Sequence, residues 1–94
     1  MAYRLLARFD DQTIRTTLHR GRNTIGSDAS CEVCLPNSTV SRRHAVVTVS
    51  QAGLELEDLG STNGTFHNGN RLHGSRLLHP GDRVQLGTTL IEAQ

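Results

Sequence analysis

The chain has 94 residues, with ten Lys+Arg against nine Asp+Glu and a net charge of +1. That length allows one hydrophobic core but no second functional lobe, so a single domain over residues 1–94 is expected. The balanced charge gives no case for general nucleic-acid binding, and no apolar run is long enough for a membrane-spanning helix. All ten basic residues are arginine, the side chain suited to bidentate recognition of carboxylate or phosphate, so any basic site must be local. Cys31 and Cys34 are too few and too close for a disulfide framework and read as free thiols. With no signal-peptide pattern in Met1 to Phe9, they point to a reducing, cytoplasmic setting, and the lack of lysine hints at a bacterial source.

In chain order, Tyr3 to Phe9 alternates bulky apolar residues with arginine, and Thr13 to Leu18 is a β-branched run, so the two form a hairpin signal. Gly21 breaks the pattern and Asn23 to Gly26 reads as a short third strand. Glu32 to Leu35 alternates again, with Val33 and Leu35 on one face and Glu32 and Cys34 on the other. A long loop then leads to His44. Ala45 to Ser50 and Leu54 to Leu59 each bury one face, with a turn at Gln51-Ala52-Gly53. Thr65 to His67 and Asn70 to Leu72 flank Asn68-Gly69, the strongest short hairpin turn. Ser75 to Leu78, Arg83 to Leu86 and Thr89 to Ala93 complete the strands. No segment holds a helical period, so about ten short strands with frequent turns predict a β-sandwich.

The stretch from Val40 to Gly64 organises the rest. It opens with Ser41-Arg42-Arg43-His44 and closes with Gly60-Ser61-Thr62-Asn63-Gly64, two polar loops around a predicted hairpin. Short loops of Ser, Thr, Asn, Arg and Gly on a rigid sheet are where binding chemistry tends to sit.

Gly26 at the end of the third strand, Ser41-x-x-His44, Asp58-Leu59-Gly60-Ser61-Thr62-Asn63-Gly64-Thr65 and Asn68-Gly69 together resemble the forkhead-associated (FHA) domain. Gly81-Asp82 and Leu86-Gly87 fit that family's closing pattern. The resemblance implies an all-β, eleven-strand sandwich, FHA-like or SMAD-like, whose binding loops follow strands three, four and six at one edge. It also implies binding of phosphothreonine in a protein or peptide, without a cofactor or metal, as a protein-protein interaction module in kinase-dependent signalling, in a larger multidomain regulator or alone.

The residues suit that task. Ser41 can donate its hydroxyl to a phosphate oxygen, Arg42 can add a charge-assisted bond, and Thr62 offers a hydroxyl or its backbone amide. Asn63, both donor and acceptor, suits the peptide main chain, and Asn68 is a turn residue that can also line the peptide groove. By the resemblance, His44 braces the loops, with Gly26 and Gly64 as structural support. Asp58 is expected to accept hydrogen bonds from loop amides.

One residue departs from the pattern. Phosphothreonine-binding members of the family usually carry arginine directly after the glycine of the third strand, and here Ser27 stands there. A charge-assisted hydrogen bond contributes about 1.5–3 kcal/mol, so its loss weakens phosphate binding by roughly 10- to 150-fold unless Arg42 or Arg43 replaces it. Two readings remain open: a phosphothreonine reader, or the same fold with weakened phosphate dependence acting as a scaffolding surface.

Enzyme readings are not supported by the motifs. Ser41 and His44 lack a nucleophile elbow and a third member, and Gly60 to Gly64 lacks the Gly-Lys-Ser/Thr of a nucleotide loop. Cys31-x-x-Cys34 supplies only two of four zinc ligands, and His19, His67, His73 and His79 show no metal-like pairing.

Overall fold

The computed structural model describes residues 3–94. Within them eleven strands form two sheets. In chain order the strands are β1 (Arg4–Phe9), β2 (Gln12–Thr17), β3 (Gly21–Gly26), β4 (Val33–Cys34), β5 (Ala45–Ser50), β6 (Gly53–Asp58), β7 (Thr65–His67), β8 (Asn70–Arg71), β9 (Ser75–Leu78), β10 (Arg83–Leu86) and β11 (Thr89–Ala93). One sheet runs β2-β1-β11-β10-β7-β8 and the other β4-β3-β5-β6-β9. The fold is the expected all-β sandwich.

Alternation along each strand supplies the core. Leu5, Ala7 and Phe9 of β1 point inward with Ile91 and Ala93 of β11, Val84 and Leu86 of β10. They meet Ile25, Val47, Leu54, Leu56 and Leu78 from the other sheet. Burying each such large aliphatic side chain stabilises the fold by about 1.5–3 kcal/mol. The β7–β8 turn forms as its residues dictate: Asn68 and Gly69 both have positive φ, 49° and 88°, the signature of a type I′ hairpin.

Some boundaries differ from the alternation reading, for physical reasons. β3 starts at Gly21 rather than Asn23, because Gly21 takes a φ of 92° and still pairs with Val49. Asn23 is fully buried and closes the bend before it, with Oδ1 accepting from the His19 amide at 2.8 Å and Nδ2 donating to the His19 carbonyl at 2.7 Å. β4 is only Val33–Cys34, since Glu32 turns its carboxylate to the Thr24 amide instead of continuing the ladder.

The pairing of β4 positions the site. It lies parallel to β3, with Ile25 opposite Val33 and Gly26 opposite Cys34. Both strands therefore end at the same edge. Antiparallel β5 and β6, with Ala45 opposite Asp58, begin and end there too. The loops after β3, β4 and β6 consequently converge, as the family resemblance implied and simple antiparallel alternation did not.

Candidate functional site

Three loops meet at that edge: 27–32, 35–44 and 59–64. Backbone contacts hold the first two together. The Ser27 amide donates to the Ser41 carbonyl at 3.0 Å and the Asp28 amide to the Arg42 carbonyl at 3.3 Å. Gly26 is required by this approach: a Cβ there would lie 1.9 Å from the Arg42 carbonyl oxygen.

His44 joins the second loop to the third. Its ring is fully buried; Nδ1 accepts the Ser41 amide at 3.0 Å and Nε2 lies 2.8 Å from the Gly64 carbonyl. An accepting Nδ1 means that Nε2 carries the hydrogen and donates to Gly64, so these two bonds fix one neutral tautomer. Gly64 itself has a φ of 81°, the left-handed conformation that glycine adopts without strain.

The two polar clusters touch directly at Ser41. Its Oγ accepts the Thr62 amide at 3.1 Å, which leaves the hydroxyl proton to donate outward. Asn63 is exposed, and its Nδ2 donates to the Thr39 carbonyl at 2.8 Å, leaving Oδ1 as an acceptor at the surface. Asp58 shapes the 59–64 loop as expected. Its Oδ2 accepts the amides of Gly60 (2.9 Å) and Ser61 (3.1 Å), and its Oδ1 accepts the hydroxyls of Ser61 (2.5 Å) and Thr65 (2.6 Å). Burial works to raise this carboxyl, but the bonds from Ser61, Thr65 and Gly60 outweigh it, so its pKa lies below the ordinary value.

Arg42 and Arg43 are exposed beside the loop that carries Ser27. Asp28 is held ionised below its usual range, first by the Ser30 hydroxyl and amide, then by the nearby charges of Arg43 and Arg42. Arginine charge is therefore present at this edge despite Ser27. Both cysteines are free; Cys31 Sγ donates to the Arg42 carbonyl at 3.2 Å, and burial, then the Asp28 charge, raises its pKa, which suits an inert packing thiol.

The structure thus brings Ser27, Ser41, Arg42, Thr62 and Asn63 together over Gly26, His44 and Gly64. It does not bring Asn68 to them. That residue sits at the opposite end of β7, where its Oδ1 accepts the Arg83 amide at 2.8 Å.

Two contributors were not singled out from sequence. Thr39 is a hub: Oγ1 donates to Asn37 Oδ1 at 2.5 Å, accepts the Thr88 amide at 2.8 Å, and its carbonyl holds Asn63. The β10–β11 turn therefore joins the edge, and Gly87 is needed there because a Cβ would come within 2.3 Å of Thr39 Oγ1. Arg71 on β8 reaches across to Gly64, where a Cβ would lie 3.1 Å from its Cζ. Thr39 lies 24 residues from Asn63 and 49 from Thr88, beyond any spacing rule, whereas Arg71 meets Gly64 across the Asn68-Gly69 hairpin.

This fold and this edge place the chain among sandwich domains that present a loop-built recognition surface. Residues 23–87 match the FHA domain family model, more than half of the chain, and the chain belongs to the FHA domain family. The oxoglutarate dehydrogenase inhibitor of Corynebacterium efficiens is 36% identical over 73 residues, covering 78% of this chain and 51% of that protein. The chain spans about half the length of the three oxoglutarate dehydrogenase inhibitors it matches. A structure solved in a study of phosphothreonine-dependent FHA domain interactions superposes with a TM-score of 0.92 at 31% identity, over 100% of this chain and 96% of that one. The yeast Dun1 FHA domain, in complex with a doubly phosphorylated phosphothreonine peptide, superposes with a TM-score of 0.85 at 28% identity, over 99% of this chain and 73% of that one.

Proposed function

We propose that the chain is a phosphothreonine-peptide-binding module of kinase-dependent signalling, acting by recruitment in the cytoplasm and without catalysis of its own. The observation that carries this reading is the Ser41–Thr62 contact. A hydroxyl with a proton to donate and an adjacent threonine face solvent on a frame locked by His44. Ser41 and Thr62 take the phosphate, Arg42 adds charge, and Asn63 holds the peptide main chain. Ser27 lines the pocket as a neutral donor. The phosphothreonine-dependent interactions studied with one structural neighbour and the phosphothreonine peptide bound to the Dun1 FHA domain support the assignment.

The test is calorimetric titration with phosphothreonine, phosphoserine and unmodified threonine peptides. A preference for phosphothreonine is expected, and its absence across a peptide library would sink the reading. Ser27→Arg should tighten phosphopeptide binding by roughly 10- to 150-fold, the effect of one added charge-assisted bond. Unchanged affinity in a folded variant would mean that Arg42 already fills that role.

A further inference from the structure

The outer face of the six-stranded sheet is unlike the rest of the surface. Its outward strand positions include Arg4, Arg8, Arg15, Arg71 and Arg83, five of the chain's ten arginines. Glu92 is the one carboxylate among the outward strand positions of this face in the described residues. The near-neutral total thus hides a local excess of positive charge. At the centre stands Leu90, 54% exposed; among the described residues one other large hydrophobic residue is comparably exposed, Leu77 on the other sheet. Open clefts of about 280 Å³ and 410 Å³ flank it, the first floored by Leu6 and Ile91, the second by Phe66 and Val84.

Strand registers align these groups. Arg71, Phe66, Gln85, Leu90 and Arg8 lie directly opposite one another on β8, β7, β10, β11 and β1. At about 4.8 Å per strand this row is about 19 Å long, the reach of an extended segment of about six residues. The row is continuous with the loop edge. The Arg71 guanidinium that packs against Gly64 also lies 6.0 Å from the Phe66 ring centroid.

We propose that this face is a second docking surface, for an acidic segment with an apolar anchor, carried by the same partner protein whose phosphothreonine the loops hold. Leu90 and its flanking clefts take the apolar side chains, while Arg8, Arg83 and Arg71 pair with carboxylates. Charge complementarity and continuity through Arg71 select this occupant. A nucleic acid fits less well, because a row of phosphates would lie over Leu90 and beside Glu92.

The proposal rests on the phosphothreonine reading, and the test separates the two. Isothermal titration compares a short phosphothreonine core peptide with the same core joined through glycines to a Glu-Leu-Glu-Leu-Glu tail, placed before or after it, and to a Lys-Leu-Lys-Leu-Lys tail. The acidic tail on one side is expected to tighten binding about tenfold or more. That gain should fade at high salt and disappear in Arg8→Glu/Arg83→Glu, whose affinity for the bare core stays unchanged. Equal affinity for the core and both acidic extensions, or a gain that survives the charge reversals, overturns the proposal. If the bare core does not bind, the loop reading has failed on its own. The acidic tail alone must then still shift the backbone NMR signals of Arg8, Phe66 and Leu90. Absence of those shifts, or equal shifts with a short DNA duplex, overturns the docking face.

Discussion

The two ends of β7 and β10 carry polar networks of similar composition, about 10 Å apart along the strands, and they spend their hydrogen bonds differently. At the loop edge, His44, Ser41, Thr62 and Asn63 bond across three loops, yet Ser41 retains a donor proton and Asn63 an acceptor facing solvent. At the far end the groups turn inward on one another. Asp82 accepts from His67 Nε2 and the His79 amide, both at 2.9 Å, and Asn68 accepts the Arg83 amide. Polarity alone does not mark a recognition surface. What differs is the group each end leaves facing the loops: Ser41 keeps a proton and Asn63 an oxygen there, while Asn68 gives its Oδ1 to the Arg83 amide at the other end of β7.

The largest effect should come from the frame itself. His44→Ala leaves the Ser41 amide and the Gly64 carbonyl without partners in a buried cavity, so a loss of about 3–5 kcal/mol in urea denaturation is expected, with phosphopeptide binding abolished. A loss below about 1 kcal/mol would show that the loops hold without the ring.

Ser41→Ala and Asn68→Ala set the two ends against each other. The first should weaken phosphothreonine-peptide affinity by about 10- to 100-fold in calorimetry while costing about 1 kcal/mol of stability. The second removes a hydrogen bond and a residue suited to positive φ. It should cost about 1–2 kcal/mol and leave affinity within about twofold. Equal losses of affinity in both would erase the distinction between the ends.

The contrast also explains what the sequence disclosed. Inward alternation of Leu5, Ala7 and Phe9, or of Leu54 and Leu56, is a period that any reader can count, and Asn68-Gly69 specifies its turn locally. The roles of Ser41 and His44 came instead from motif resemblance, since nothing in their spacing says that a ring will bridge to Gly64. The parallel pairing of β4 was invisible because alternation at Glu32 to Leu35 sets which face each side chain takes and not which strand it joins or in which direction. Thr39 and Thr88 lie 49 residues apart, and Thr39 and Asn63 lie 24 apart. Such contacts depend on how the loops and strands are juxtaposed, which a local pattern does not encode. The basic sheet face was hidden for the same reason, its five arginines scattered over four strands.

The smallest effect tests the closed end through its charge. Asp82 is held at about 2 against an ordinary 3.8, first by the hydrogen bond from His67 and then by the His79 amide. A carboxyl with a depressed folded pKa contributes stability that is complete above its unfolded pKa and is lost as pH falls through the folded one. Asp82→Asn keeps an acceptor but removes the charge, so it should destabilise the domain by about 1 kcal/mol at neutral pH. The gap between variant and wild type should then close as pH drops from about 4 to about 2, followed by denaturation at each pH. A gap that stays constant across that window would mean that the carboxylate acts there by shape rather than by charge. Affinity for phosphopeptide at neutral pH should not move, because no group of this network faces the loop edge.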